Sequence, residues 1–507
     1  MSSFLMKFTP ISVSLLAVGL VLTWYTVSSV KSWYRLRHIP GPSFLTSFSY
    51  LWIALTTYSG KQYWILRDLN DKFGLLVRIG PNEIITDDLE ILRKINSPRG
   101  GYARDEAYLV ARFIPDRDNA LTTLDPATHA SNKAKIAAAY SGRDISAFES
   151  RIDIQVEILH RLLGRKYVDG SEKKEPPLLN LELLSKYFTL DIITSLGFGK
   201  ARGYLSEEAD HYDYIRNFKD LWPLFATSAA VPVIRKIISA QIFLRLFGSK
   251  PTDKSGCSAM KGMVAKSVGT RFESNTKEEQ DMLGSFINHG MSREHCESES
   301  VFMIFGGWES TASTIRSILV HTMTTPRVLE KLRQEIDEAV RRGGVSTLIS
   351  FEQAKRLPYL QAVVYEGLRI RPAILAFSPK VVPAGGDQFH NKHIPAGTSV
   401  GMNISSVLHS KKLFGVHPEL LSPERFMNLD KAKRKEMERN VELAFGQGQG
   451  QWTCVGKTLA FMNLNKVVFE VFKVFDLQLV EPMKPCNTQT YGVFLDDGLL
   501  VKATERS

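Results

Sequence analysis

Cys454 stands at the end of a glycine-rich loop, directly before a predicted amphipathic helix from about Lys457 to Phe475. The loop reads FGQGQGQWTCVGK over residues 445–457, and its alternating glycines permit tight turning. A cysteine at a helix N-terminus lies at the positive end of the helix dipole, which favours the thiolate, the form that ligates metals. A lone cysteine is more often a small buried apolar residue. The glycine loop reverses that preference, so Cys454 is predicted to be a metal ligand.

A second pattern lies in a long segment of helical periodicity, from about Arg293 to Thr325, which reads FGGWEST over residues 305–311. Each glycine in a helix interior is unfavourable by about 1 kcal/mol relative to alanine. The missing side chains would let a ligand approach the backbone, with the Glu309 carboxylate and the Ser310 hydroxyl beside the gap for proton transfer. A kinked core helix explains the glycines equally well, and the pattern alone does not separate the two interpretations.

Glu366 and Arg369 lie one turn apart on one face of a predicted helix that Pro372 ends. On a protein surface such a pair contributes only tenths of a kcal/mol. The surrounding sequence, LPYLQAVVYEGLRIRP, is largely apolar and indicates burial, and a buried pair needs further partners. The segment PERF over residues 423–426 could supply one through Arg425.

The chain is predicted to form one mainly helical domain with a small β part. Its composition, 44% hydrophobic and 23% charged, is that of an ordinary globular protein. Although 507 residues could hold two or three domains, neither a repeat nor a low-complexity tract divides them. Helical periodicity dominates from about residue 60 to 370, with a hairpin predicted near Leu75 to Ile85 and short strands at Lys380–Val382 and Ser399–Met402.

A formal charge of +11 often indicates a nucleic acid or an acidic protein surface as the partner. The densest basic run, between Lys431 and Lys435, is accompanied by no nucleic-acid motif, so a solvated basic face is favoured over a nucleic-acid site. The four cysteines show no paired spacing, which argues against a disulfide framework and fits a reducing compartment.

The N-terminus is predicted to be a membrane anchor. The uncharged stretch from Ile11 to Val30 is long enough to span a bilayer, whereas the apolar part of a cleaved signal peptide would be shorter. Basic residues are denser after this stretch than before it, which predicts that the rest of the chain lies in the cytosol. The segment HIPGP at residues 38–42 cannot continue a helix. We therefore divide the chain into an anchor with its basic flank, residues 1–37, and a body, residues 38–507.

Together these patterns resemble the cytochrome P-450 family of haem-thiolate monooxygenases, and the resemblance covers essentially the whole chain. It implies the cytochrome P-450 fold, with a large triangular helical domain and minor β sheets. It also implies haem b with Cys454 as the axial thiolate, which favours O–O cleavage. Glu366, Arg369 and Arg425 would form the structural network of the family. The stretch from Gly306 to Thr311 would be the oxygen groove, in which Glu309 and Ser310, with Thr311 beside them, deliver protons to dioxygen.

The resemblance also implies residues that hold the haem. His129 and Lys133, four apart in a predicted helix, and Lys380 occupy positions where the family contacts the haem propionates. Solvated basic residues are the alternative interpretation of these three. The loop glycines that would pack against the haem are Gly448, Gly450 and Gly456.

The loop departs from the usual pattern of the family. Gln447 stands where a phenylalanine is usual, seven residues before the cysteine, while Phe445 lies two residues further upstream, so the loop carries two extra residues. Gln451 replaces the usual basic residue before the cysteine, and Ser310 replaces the usual threonine. If these changes abolished oxygen activation, the chain would instead be a haem-thiolate isomerase or dehydratase that needs no external electrons.

Tyr102, residues 115–119 and Tyr140 resemble fungal microsomal enzymes of the pisatin demethylase type. This likeness implies oxidation of a lipophilic secondary metabolite, such as a terpenoid, a polyketide or an alkaloid-like compound. Electrons would come from NADPH through cytochrome P-450 reductase, with cytochrome b5 as a possible second donor. The protein would sit in the endoplasmic reticulum membrane with its catalytic domain facing the cytosol. A haem-binding membrane protein without turnover is the remaining alternative. By analogy, the walls of the substrate pocket are 102–114, Trp308, 374–377 and 491–494.

Overall fold

The computed structural model describes residues 10–168, 176–248, 250, 252–273, 279–375, 377–446 and 450–506. The first helices are α1 (Pro10–Leu36), α2 (Leu51–Tyr58), α3 (Gln62–Arg67), α4 (Leu69–Phe73), α5 (Leu89–Asn96), α6 (Pro126–Ser141), α7 (Phe148–Leu162), α8 (Leu181–Phe198), α9 (Tyr204–Glu207), α10 (Tyr214–Ala229), α11 (Pro232–Ile238) and α12 (Gln241–Phe247). They are followed by α13 (Gly256–Glu273), α14 (Met282–Asn288), α15 (Arg293–Gly307), α16 (Glu309–Met323), α17 (Pro326–Arg341), α18 (Phe351–Ala354), α19 (Pro358–Ile370), α20 (Ile404–Val407), α21 (Lys411–Phe414), α22 (Lys431–Val441) and α23 (Lys457–Val474). Single turns of 3₁₀ or π helix occur at Phe44–Ser47, Glu106–Ala111, Leu163–Val168, His211–Asp213, Pro423–Phe426, Glu442–Phe445 and Gly450–Trp452.

The strands are short and gather into four small sheets. They are β1 (Leu76–Arg78), β2 (Glu83–Thr86), β3 (Ala103–Arg104), β4 (Leu179–Asn180), β5 (Lys380–Val381), β6 (Asp387–Phe389), β7 (Lys392–Ile394), β8 (Ser399–Met402), β9 (Phe475–Leu479), β10 (Asn487–Thr490), β11 (Phe494–Asp497) and β12 (Leu500–Glu505). The largest sheet has the order β1-β2-β8-β5-β3, and the others are β4-β12-β9, β10-β11 and β6-β7. The predicted hairpin is confirmed as the antiparallel pair β1 and β2, and the two predicted strands are confirmed as β5 and β8.

The core of the molecule lies around α16, which packs against α8, α19 and α23. Helix α8 is buried on nearly all sides, and its buried residues include the charged Glu182 and Lys186 as well as apolar side chains. Helix α17 covers the core with a single stripe of Val328, Leu332 and Ile336, spaced by one turn each. This packing fixes α16, the start of α23 and the end of α19 against one another, and these are the elements that carry the predicted chemistry.

Helix α1 is long and apolar enough to cross a membrane over Ser14–Leu36. The predicted apolar stretch ends at Val30, whereas the helix continues for six more residues to Leu36. Its last turns are tied to the body, because the buried guanidinium of Arg78 donates to the Ser32 carbonyl at 2.9 Å. The division at residue 37 stays a prediction.

Candidate active site

The loop before Cys454 is held by its own backbone. The Cys454 N–H donates to the Phe445 carbonyl at 2.7 Å, and α23 begins three residues later. Gly446 has a φ of 94°, and a Cβ there would lie 2.8 Å from the Trp452 carbonyl oxygen, so only glycine fits. The predicted positions Gln447 and Gly448 lie outside the described residues. The Cys454 side chain is accessible to solvent, yet protein atoms surround it closely enough for burial to act on its pKa.

Gly450 needs to be glycine because of its backbone conformation, whereas Gly456 has room for a small side chain. Gly450 adopts a φ of 89°, which a side chain would strain. At Gly456 a Cβ would make only ordinary contacts, 3.7 Å from Cys454 Sγ. Burial raises the pKa of the Cys454 thiol, although the Gly456 N–H and the Lys133 ammonium oppose this by stabilising the thiolate. The protein alone therefore makes Cys454 less acidic than an ordinary thiol, and a metal cation bound to sulfur would reverse that.

His129 and Lys133 lie on α6 and brace the cysteine loop. The His129 ring nitrogen Nε2 lies 2.9 Å from the Gln451 carbonyl oxygen, and Lys133 Nζ donates to the Thr453 carbonyl at 2.6 Å. Burial, with the nearby Arg104, lowers the pKa of His129 to about 4, so its imidazole is neutral at pH 7. Both side chains thus form hydrogen bonds with the backbone beside Cys454, and the Gln451 carbonyl accepts from both of them.

Two buried basic side chains lie beside the same loop without an acidic partner among the described residues. Lys380 Nζ sits 3.2 Å from the centre of the Trp452 ring and has no hydrogen-bond acceptor in the described part of the chain. Arg104 lies over the same ring at 4.7 Å and donates to the Ala120 and Leu121 carbonyls at 2.7 Å each. Burial lowers the pKa of Arg104 only to about 10, so its guanidinium stays charged, whereas burial lowers the pKa of Lys380 to about 6, so that in the protein alone its amine is mostly neutral at pH 7. Two buried basic groups without a carboxylate among the described residues fit an anionic ligand, which would also stabilise the charged form of Lys380.

The glycine-containing helix is interrupted, where the sequence predicted one continuous segment. Helix α15 ends at Gly307 and α16 begins at Glu309, with Trp308 between them. At the interruption the Ser310 hydroxyl donates to the Gly306 carbonyl at 2.8 Å. Hydroxyls that bond back by four residues commonly bend helices. The interruption fits a kinked core helix, and the approach of a ligand to the helix backbone stays a prediction.

The two glycines of this helix have different surroundings. A Cβ on Gly307 would lie 3.0 Å from Ile193, so this position lets α15 approach α8. Gly306 is exposed, and a Cβ there would meet only the Phe302 ring at 3.7 Å. Packing therefore accounts for Gly307 and leaves room beside Gly306 and Ser310 for a ligand.

Glu309 points into a buried ion cluster. Its carboxylate accepts a hydrogen bond from Arg316 at 2.6 Å and lies 3.7 Å from Lys186 Nζ on α8. Thr311, the third predicted catalytic residue, is buried on the same helix. Glu309 and Ser310 are thus neighbours at the helix break, with the Glu309 carboxylate on Arg316 and Lys186 and the Ser310 hydroxyl on the Gly306 carbonyl.

Glu366, Arg369 and Arg425 meet in one fully hydrogen-bonded network. Arg369 donates to the Glu366 carboxylate through Nε at 2.7 Å and through a terminal nitrogen at 2.8 Å, and both side chains are completely buried. Arg425 Nε donates to Glu366 Oε1 at 3.2 Å. The Ser422 N–H adds a fourth donor at 2.8 Å, while Arg369 also reaches the Leu408 and Pro418 carbonyls. This network joins α19 to the segment that precedes the cysteine loop.

The predicted pocket segments meet, but Trp308 does not line an open space. It is completely buried and packs against Tyr214 and Phe218 of α10. Phe305 instead contacts Phe113 at 4.5 Å between ring centres, and it also contacts α10. Ile374 forms a bridge with Val493, and Trp222 of α10 donates to the Tyr491 carbonyl at 2.9 Å; Ala376 lies outside the described residues. Helix α10, which the sequence analysis did not name, completes this aromatic wall.

A sequence model of the family described as Cytochrome P450 matches residues 40–502. The chain belongs to the cytochrome P450 family. The cytochrome P450 monooxygenase aba1 of Botryotinia fuckeliana is 54% identical over 470 residues, which cover 93% of this P450 and 92% of the relative. For abl1 of Leptosphaeria maculans the identity is 49% over 500 residues, with coverages of 98% and 87%. For ABA1 of Pyricularia oryzae it is 38% over 495 residues, with 96% of each chain covered.

These likenesses confirm the predicted family, fold and enzyme class. The P450 is a monooxygenase and hence an oxidoreductase, and its relatives are fungal. Membership of the family implies a haem-thiolate cofactor. Lys380 and Arg104, which contact the Trp452 ring and have no acidic partner among the described residues, fit the two carboxylates of such a group. Sequence reasoning missed Arg104 and Trp452. The position of Trp452 two residues before Cys454 could have indicated that it lies in the site. Arg104 lies in no motif, so no local pattern could have indicated it.

Proposed function

We propose that this P450 uses dioxygen and electrons from NADPH to hydroxylate, demethylate or otherwise oxidise a lipophilic secondary metabolite. The observation that carries the proposal is the pair of buried basic side chains, Lys380 and Arg104, that lie over Trp452 in the Cys454 loop without an acidic partner in the described part of the chain. Helix α23, which Cys454 precedes, packs against α16, where the Ser310 hydroxyl lies at the helix break. The aromatic wall of Phe113, Phe305 and α10 favours an uncharged, largely hydrocarbon substrate.

Cys454 would ligate the iron of haem b, and Lys380 with Arg104 would hold its propionates. His129 and Lys133 would act mainly through the loop carbonyls to which they are bonded. Gly450 would set the turn of the loop, Gly456 would leave space beside the sulfur atom, and Gly448 would pack against the ring. Bound haem b would supply the binding and reductive activation of dioxygen.

The residues of α16 would move protons toward the oxygen site. A proton taken up on a Glu309 carboxylate oxygen would pass to the Ser310 hydroxyl oxygen, which would release its own proton toward dioxygen. In the resting protein that hydroxyl donates to Gly306, so it must rotate before it acts. Thr311, buried next to Ser310, would hold the opened turn in place.

Lys380→Met should weaken the hold on haem, because methionine fills the site but removes the positive charge. A hydrogen bond to a charged group contributes about 1.5–3 kcal/mol, so we expect haem to leave about ten times faster or more. The rate is measured as transfer of haem to a competing apoprotein. Lys355→Met, on an exposed side chain after α18, is the matched control and should leave the rate unchanged. Equal rates in both variants would exclude a propionate role for Lys380.

Ser310→Ala should uncouple the reaction, because the nearest hydroxyl at the helix break is lost. We expect several-fold less product per NADPH consumed, with the difference appearing as hydrogen peroxide. Ser310→Thr restores a hydroxyl and should restore coupling. Unchanged coupling in the alanine variant would contradict the proposed proton route.

Two surface features of the chain support a redox partner and a membrane: the basic face of α22 and the apolar helix α1. Exposed Lys431, Lys433 and Lys435 on α22, close to the cysteine loop, would face an acidic surface on NADPH-cytochrome P450 reductase, with cytochrome b5 as a second candidate. No nucleic-acid partner is proposed. Helix α1 would anchor the protein in the endoplasmic reticulum membrane, with the catalytic domain in the cytosol.

Reconstitution with reductase, NADPH and ¹⁸O-labelled dioxygen tests the proposed function. We expect one labelled oxygen atom in a hydroxylated product; in a demethylation, the label is expected in the formaldehyde released. Product that forms without reductase or dioxygen would instead indicate the isomerase or dehydratase alternative. Failure to turn over any of a broad set of lipophilic metabolites, with haem correctly bound, would favour the non-catalytic alternative.

A further inference from the structure

A buried ion cluster connects Glu309 to a residue far away in the sequence. Arg316 lies two turns after Glu309 on α16 and donates to Glu309 Oε1 at 2.6 Å. Its Nε donates in the other direction, to Asp496 Oδ2 on β11 at 3.0 Å. The side chains of Arg316 and Asp496 are completely buried. One buried guanidinium therefore forms ion pairs with two carboxylates.

Further charges enclose this shared guanidinium on both sides. Arg371 donates to both oxygens of Asp496 at 2.7 Å, and Thr488 donates to Oδ1 of the same carboxylate at 2.8 Å. On the other side, Lys186 lies 3.7 Å from Glu309 Oε2 and also pairs with Glu182, one turn earlier on α8. The cluster therefore balances three carboxylates against three cations, namely Glu182, Glu309 and Asp496 against Lys186, Arg316 and Arg371.

The charges of the cluster depend strongly on one another because the side chains of Arg316 and Asp496 are completely buried. Burial alone would raise the pKa of Asp496, but Arg371 and Arg316 overcome it and hold that pKa well below its usual range. Burial likewise opposes the charge on Arg316, whereas Glu309 and Asp496 raise its pKa above the usual value. Asp496 is thus an anion at any physiological pH and competes with Glu309 for Arg316.

We propose that Asp496 is a positioning residue for proton delivery, because it shares the Arg316 guanidinium and so limits how firmly Arg316 holds the Glu309 carboxylate. A carboxylate held by fewer or weaker cations accepts a proton and leaves its ion pair more readily. This inference rests on the proposed role of Glu309 and extends it: residues on β11 and after α19 adjust how readily Glu309 takes up a proton.

Two substitutions change the competition in opposite directions. Asp496→Asn removes the competitor of Glu309 for Arg316, so the Glu309 carboxylate should be held more firmly and protonated less readily. Arg371→Gln strengthens the hold of Asp496 on Arg316 and should have the opposite effect on Glu309. The readout in the haem-loaded protein is the infrared band of the protonated Glu309 carboxyl, assigned by its loss in Glu309→Gln. Product per NADPH should fall several-fold in Asp496→Asn, with a larger solvent isotope effect on turnover.

Asp497→Asn is the matched control, because the neighbouring carboxylate on β11 pairs with the exposed Lys219 at 2.6 Å and stays outside the cluster. Asp497→Asn should change neither the infrared band of Glu309 nor the amount of product per NADPH. If Asp496→Asn does not fold, Thr488→Val replaces it; loss of this hydrogen bond should change the infrared band of Glu309 in the same direction as Arg371→Gln does. Shifts of the same sign in Asp496→Asn and Arg371→Gln, or none beyond the control, would overturn the inference. An unchanged isotope effect in Glu309→Gln would overturn the proton role of Glu309 itself.

Discussion

Cys454→Ser is expected to abolish NADPH-driven substrate oxidation by this P450. Serine has nearly the same shape as cysteine, but its hydroxyl stays protonated at neutral pH and cannot replace an anionic sulfur ligand. The loop itself should persist, because the Cys454 N–H and the Thr453 carbonyl hold it through the backbone. Product formation measured with reductase, NADPH and dioxygen should fall to background.

Cys257→Ser supplies the comparison, since Cys257 is a partly buried cysteine on α13, away from the loop. That variant should keep the activity of the unsubstituted protein. Equal activity in both variants would show that Cys454 is not required, whereas loss in both would point to a general effect of thiol removal.

Glu366→Ala is expected to remove most of the stability of the catalytic domain. The substitution takes away the one carboxylate that the described residues supply to this network, so Arg369 stays buried with its charge uncompensated and Arg425 loses its ion pair. Removing one partner of a buried ion pair destabilises a protein by about 3–5 kcal/mol. Since domains are typically stable by about 5–15 kcal/mol, we expect little folded, haem-loaded protein on expression.

The chain contains a matched control for this substitution. Glu352 and Lys355 have the same spacing of three residues, but both side chains are exposed. Glu352→Ala should change the free energy of unfolding by no more than about 0.5 kcal/mol. Urea unfolding followed by fluorescence measures both variants, and similar small changes in the two would contradict a structural role for the Glu366 network.

Local patterns predicted the parts of the site that a single segment encodes. The spacing of Glu366 and Arg369 within an apolar helix indicated a buried pair, and the structure encloses both completely. Alternation around Gly80-Pro81 likewise predicted the hairpin of β1 and β2. In each case the residues that interact are close in sequence, so periodicity and turn chemistry specify the contact.

Contacts between distant segments could not be predicted in this way. Arg104 and Lys380 meet over the Trp452 ring although nearly 350 residues separate Arg104 from Trp452, counted along the sequence. Arg316 and Asp496 are 180 residues apart. The burial of Trp308 depends on α10, whose Tyr214 and Phe218 cover it, which the assignment of Trp308 to a pocket wall by analogy did not anticipate. Tertiary packing determines all three, and no local propensity encodes it.

The spectrum of the reduced protein with carbon monoxide tests the central claim most directly. If Cys454 is a thiolate ligand of haem iron, the full-length protein should show the red-shifted Soret band that a sulfur anion opposite carbon monoxide produces. Cys454→Ser should lose that band while it retains haem, and Cys257→Ser should keep it. A full-length protein that binds haem without the thiolate band, or a Cys454→Ser variant that keeps it, would contradict the assignment of Cys454.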